Sequence, residues 1–178
     1  MTFQEVLEAR KSVRRYIARP VEEEKVCAML EAAALAPSWK NSQTARSYVV
    51  RGEMLQKVRE ALPPFNQRNS ENAPVLIVST FIKGRAGFLP TGEPNNELGD
   101  GWGAYDCGLH DMALLLKASE LGLSTLVMGI RDAAMLRGIL NIPAEEEVTS
   151  VIAVGYAGED TPARPARMEA AARSKWFE

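Results

Sequence analysis

Three stretches of the sequence carry groups that could hold or transform a small ligand. In Ala9-Arg10-Lys11-Ser12-Val13-Arg14-Arg15-Tyr16, guanidinium forks and a hydroxyl sit within a few residues of one another, a donor set suited to a dianionic group. The same run also suits an ordinary basic helix end favoured by the helix dipole. In Ala36-Pro37-Ser38-Trp39-Lys40-Asn41-Ser42-Gln43, amides, hydroxyls and an indole follow a proline that stops a helix, although a plain Asn/Ser turn needs no ligand to explain it. Gly122-Leu123-Ser124-Thr125-Leu126-Val127-Met128-Gly129 reads as a buried strand ending in glycine, where backbone N–H can approach a flat ligand or the chain can simply turn.

The more familiar catalytic equipment is missing. His110 is the only histidine and stands inside a helical run, where packing or surface placement explains it. Cys27 and Cys107 are far apart, each within an apolar helical pattern, and read as buried structural thiols. Nucleophile-and-base or zinc chemistry needs several such residues converging, so a bound cofactor is expected to carry the reaction.

At 178 residues and 46% hydrophobic content the chain can bury one core, and residues 1–178 are expected to form a single domain. A net charge of -2 gives no support to nucleic-acid binding. Apolar runs such as Met112 to Leu116 are too short to span a membrane, and Met-Thr-Phe-Gln-Glu-Val lacks the character of a secretory signal; a cytoplasmic location is the expectation.

The elements that position the three stretches follow from periodicity and caps. Thr2 to Glu5 reads as a capping box opening a helix to about Lys11, and Val21 to Ala36 as a second helix stopped by Pro37. A strand over Ser47 to Arg51, a helix over Met54 to Leu62 closed by Pro63-Pro64, and a buried strand over Val75 to Phe81 come next. Residues 83–103 turn to Gly, Pro, Asn and Thr, the composition of a long, mobile functional loop. Ala104 to Glu120 is the central helix, Ser124 to Met128 a strand, Asp132 the cap of a helix ending near Leu140, and Val148 to Tyr156 the last strand before a polar tail over 158–178. This order implies an α+β fold with helices covering a small sheet, and no glycine-rich Rossmann turn is present.

Taken jointly and in order, the three stretches resemble the nitroreductase family, together with Phe65-Asn66-Gln67-Arg68-Asn69 before a strand and Gly155-Tyr156 before an Arg-bearing tail. The resemblance implies a mostly antiparallel sheet flanked by helices, FMN as cofactor and NAD(P)H as co-substrate. It further implies that Arg10, Ser12 and Arg167 hold the FMN phosphate, with Lys11 shaping that end and Arg164 lending charge. Arg14, Asn66 and Asn69 would face the pyrimidine edge of the flavin, Asn69 standing where relatives often carry lysine. Val127, Met128 and Gly129 would reach the reactive edge, and Pro37, Ser38, Trp39 and Asn41 would lie against the flavin of the partner subunit in a homodimer. Phe88 and Trp102 in the variable loop are candidates for stacking on the acceptor or for anchoring the loop.

The implied reaction is two-step hydride transfer, from NAD(P)H to flavin and then to a nitroaromatic, quinone or similar acceptor, with no side chain required as catalytic acid. The alternatives are a flavin protein of the same fold with a non-nicotinamide reaction, one with no turnover, or a plain interaction domain.

Overall fold

The computed structural model describes residues 1–159 and 161–178. Four antiparallel strands form one sheet in the order β1-β2-β4-β3, with β1 at Ala45–Val50, β2 at Val75–Ile82, β3 at Ser124–Met128 and β4 at Glu146–Gly155. The expected α+β architecture is therefore present. Both central strands are buried almost throughout, and alternate residues feed opposite faces, as strand pleating dictates. Leu76, Val78, Val151 and Ala153 join one core cluster, while Val75, Ile77, Ile152 and Val154 join the other.

Helices cover both faces. On one side α2 (Glu23–Ala34) packs along α5 (Gly101–Glu120), and Met29, Ala33, Leu114 and Ala118 are buried between them and the sheet. On the other, α3 (Met54–Glu60) and α6 (Ala133–Leu140) contribute Val58 and Leu136. The first helix, α1 (Phe3–Ala9), opens with the expected capping box: Thr2 Oγ1 accepts from Glu5 N (3.3 Å) and Thr2 N donates to Glu5 Oε2 (2.7 Å). Asp132 likewise caps α6 through Met135 N at 2.9 Å.

The structure departs from the sequence reading at four places. Pro63 and Pro64 do not only close α3: Pro64 is the first residue of a further helix, α4 (Pro64–Asn69), because proline suits the first helical turn, where no N–H bond is lost. The central helix starts at Gly101, so Trp102 lies in its first turn rather than in the loop. Glycine is needed there, since a Cβ on Gly103 would stand 2.3 Å from Phe81 Cδ2. Cys27 is exposed, whereas Cys107 is buried as expected. The segment between Ile82 and Gly101 carries turns and hydrogen bonds of its own, including Asn95 N to Gly87 O (2.7 Å) and Leu89 N to Glu93 O (2.9 Å).

Among the described residues, no helix is long and apolar enough to cross a membrane. Among the described residues, no group of three or more His, Cys, Asp and Glu is placed to hold a metal ion.

Candidate functional site

Arg10 is where α1 ends and the chain becomes extended (φ -63°, ψ 118°). The extended run is tied to the open side of β3 by a bridge between Ser12 and Thr125 and by Val13 N to Thr125 O (2.9 Å). Val13 is buried while Ser12 and Arg14 are exposed. Tyr16 anchors the far end: it is 5% exposed, its hydroxyl donates to Val13 O (2.9 Å), and it bridges to Ala157. Burial, the dominant cause, pushes its phenol well above the usual range, with the charge of nearby Arg14 opposing. A Cβ on Gly155 would come within 2.8 Å of Pro74 Cδ and 3.0 Å of Tyr16 Cδ1, so glycine is required for Tyr16 to seat.

The tail returns to the same end of α1. Lys11 Nζ donates to Pro162 O (3.0 Å) and Arg164 Nη1 to Leu7 O (2.8 Å). Arg164 and Arg167 thereby come close enough for their charges to act on Arg10. Burial first, then Arg167 and Arg164, hold the Arg10 guanidinium below its ordinary pKa. None of the three forms an ion pair among the described residues. Three cations collected with no carboxylate partner among the described residues make a site that an anion would relieve.

At the exit of β3, Val127 is 45% exposed, Met128 is buried, and the space a Cβ on Gly129 would occupy has no neighbour within 4 Å. Asn66 is 6% exposed and donates from Nδ2 to Ile130 O (3.3 Å), which brings α4 to this exit. Asn69 is partly buried at the end of the same helix. Arg131, which sequence reasoning missed, donates from Nη1 to Gly129 O (3.1 Å) and from Nη2 to Val148 O, fixing the turn after the strand.

Pro37, Ser38, Trp39 and Asn41 form a second group, on the loop leading into β1. Lys40, Asn41 and Gln43 all have left-handed backbone (φ 46°, 56° and 48°), a strained run of the kind found at ligand sites. The loop is pinned by Gln43 N to Ser38 Oγ (2.9 Å) and by Trp39 N to Asp106 Oδ2 (2.8 Å). Asp106, 4% exposed, was not anticipated either; burial raises its pKa, and the Trp39 N–H partly offsets this. Trp102 stacks obliquely on Trp39 with ring centroids 4.6 Å apart, and its Nε1 donates to Asn96 Oδ1 (2.9 Å). Trp39 and Phe88 share a cleft of about 420 Å³.

The two groups lie at opposite edges of the sheet. Three strand spacings, about 14 Å, separate β1 from β3. His110 lines a cavity with Pro37, Ser38 and Asp106; its Nδ1 stands 3.2 Å from Asp111 Oδ1, and Ser79 Oγ donates to that same oxygen (2.6 Å).

This architecture recurs in known proteins. A nitroreductase family protein of Clostridium difficile superposes with a TM-score of 0.81 at 24% identity, over 100% of this chain and 99% of that one. The FMN- and NADPH-dependent nitroreductase NfnB of Sphigopyxis sp. strain HMH gives a TM-score of 0.82 at 20% identity, over the full length of both. In sequence, a candidate NADH dehydrogenase/NAD(P)H nitroreductase of Archaeoglobus fulgidus is 34% identical over 152 residues, 83% of this chain and 80% of the relative. The NADH dehydrogenase of Thermus thermophilus is 29% identical over 85% of this chain and 84% of its own length. The family model for the nitroreductase family matches residues 7–156, a span that takes in the loop after α2, α4, the exit of β3 and all of the first basic segment. With fold and sequence in agreement, the chain belongs to the nitroreductase family, a family of oxidoreductases.

Proposed function

We propose that this oxidoreductase binds FMN and passes hydride from NAD(P)H to small electron-poor acceptors such as nitroaromatics or quinones, working as a homodimer. The observation that carries the reading is Arg10 in the repulsive field of Arg167 and Arg164, none of the three with a carboxylate partner among the described residues, beside the exposed Ser12 hydroxyl. A ribityl phosphate fits that donor set by charge and by hydrogen-bonding capacity. A solved structure at 25% identity and TM-score 0.76 is described as an oxidoreductase containing FMN, which supports the assignment.

In this reading Arg10, Ser12, Arg164 and Arg167 hold the phosphate, and Lys11 keeps the tail in place through Pro162 O. Arg14, Asn66 and Asn69 serve the pyrimidine edge, where a cation favours the anionic reduced ring. Val127, Met128 and Gly129 present backbone at the reactive edge, with Arg131 holding the Gly129 carbonyl. When bound, the flavin supplies the hydride-accepting and hydride-donating chemistry. The protein binds, orients and tunes, and no side chain is assigned as acid or base.

The opposite-edge placement of the two groups supports a shared site. A ring seated at the β3 exit lies about 14 Å in strand spacings from its own chain's Pro37–Asn41 loop. A second copy would deliver that loop, covering exposed Tyr105 and Met112 on α5 as it docks.

The test is the visible spectrum of the purified protein, before and after anaerobic addition of NADH or NADPH. Flavin absorbance that bleaches supports the proposal, and flavin that does not bleach supports a binding protein without nicotinamide turnover. A colourless protein that takes up no added FMN overturns it.

A further inference from the structure

The cleft of about 420 Å³ between the Trp39 loop and residues 84–92 has an uneven lining. One wall is apolar, made by Phe88, Leu89 and Pro90. Facing chemistry comes from Lys40 and Arg85, both exposed, neither in an ion pair among the described residues, and with no carboxylate in the lining. Asp100, whose carboxylate accepts from Gly84 N (2.7 Å), pairs with neither cation. Two further polar atoms, Trp39 Nε1 and Ser42 Oγ, are buried without any hydrogen-bond partner, and both residues line the cleft. Buried polar groups are almost always satisfied, so an unpaired indole N–H and hydroxyl beside two cations without ion pairs among the described residues lack an acceptor-rich partner. Lys40 is also held in left-handed backbone (φ 46°), a conformation lysine rarely adopts, with its ammonium 5.8 Å from the Trp39 ring centroid.

An apolar aromatic wall, unpaired hydrogen-bonding groups and uncompensated positive charge specify a ligand with a flat ring and an anionic substituent. We propose that this cleft is a subsite for aromatic carboxylates, so that among electron-poor acceptors the protein selects those bearing an acid group. The selection of acceptors rests on the function proposed above; the binding itself does not. Lys40 and Arg85 take the carboxylate, Ser42 and the Trp39 indole lie beside it, and Phe88 lies along the ring.

Calorimetric titration of the oxidised protein, with no nicotinamide present, compares 4-nitrobenzoate with its uncharged counterpart 4-nitrobenzamide. The carboxylate is expected to bind about tenfold more tightly, an advantage that shrinks as salt is added. Lys40→Gln and Arg85→Gln should each remove a several-fold share of that preference while leaving the amide unchanged. Lys57→Gln, on the outer surface of α3, should change neither. Equal affinity for the two probes overturns the proposal. So does a preference that survives both substitutions and disappears in Arg164→Gln, which would place the carboxylate at the Arg10 cluster instead. Flavin content is read from the same samples: selective binding without flavin removes the function proposed above and keeps the subsite, and flavin with no selectivity does the reverse.

Discussion

Asp106, on the central helix, accepts a hydrogen bond from the backbone N–H of Trp39 at 2.8 Å, and through it the helix fixes the strained loop that leads into β1. The carboxylate is 4% exposed, and its burial raises its pKa above the ordinary 3.8. A carboxyl with a raised folded pKa holds its proton longer in the folded state than in the unfolded one. Its ionisation therefore costs stability progressively as pH climbs from the unfolded pKa through the folded one, and the cost is constant above. Asp106→Asn keeps an acceptor for Trp39 N and cannot ionise. Its unfolding midpoint relative to the parent should rise as pH climbs from the ordinary carboxylate pKa through the raised folded one, and level off above it. A difference that does not vary with pH would show that Asp106 is not buried as described.

Arg10 gives a test in which stability and binding move in different directions. Removing the Arg10 charge in Arg10→Met should leave the flavin-free fold no less stable, by urea unfolding, since that charge is disfavoured by burial and by Arg167 and Arg164. The same change should weaken FMN about tenfold by equilibrium dialysis, the lower end of what a charge-assisted hydrogen bond contributes because the site is partly exposed. A residue with only a structural role would lower both.

Gly155 is pressed between Pro74 and Tyr16, and a methyl there meets atoms at 2.8 and 3.0 Å. Gly155→Ala should destabilise the fold by about 1–3 kcal/mol, the usual cost of overpacking. Because Tyr16 is the anchor of the Arg10–Arg15 run, protection of Val13 N–H from hydrogen exchange should fall more than that of the central strand β2. Uniform loss across both would mean the segment is not separately anchored.

Glu22 sits before α2 and accepts from the Tyr156 hydroxyl at 2.6 Å, with Lys25 Nζ 3.5 Å away. That hydroxyl, chiefly, brings the Glu22 pKa down from 4.5 to about 2. The depressed value makes its contribution fully present above 4.5 and lost as pH falls through about 2. Carbon-13 NMR titration should find Glu22 near that low value, moving toward 4.5 in Tyr156→Phe. An unmoved titration would remove the phenol from the account.

Much of this was readable along the chain where the signal is local. The Thr2 and Asp132 caps, the stop at Pro37 and the buried apolar run of β2 need only a few neighbouring residues. Resemblance supplied Arg10, Ser12, Asn66, Gly129 and Arg167, and the structure brings Arg10 beside Arg167 and Asn66 beside the β3 exit. What escaped the sequence was of three kinds. Pro63-Pro64 both ends one helix and begins another, and a stop signal conceals the start. Cys27 follows buried Val26 by a single residue, about 100° around a helix, enough to turn it from core to solvent. The partnership of Asp106 with Trp39 spans 67 residues, and no spacing within α5 or the loop announces it.

The run that carries Arg10, Ser12 and Arg14 also covers the otherwise open hydrogen-bonding side of β3 by its bridge at Thr125. An uncovered strand edge is a template for pairing with other chains. Substitutions that detach this run, such as those unseating Tyr16, should therefore produce aggregates and not merely inactive monomers, so that in this protein poor solubility and loss of its ligand share one cause.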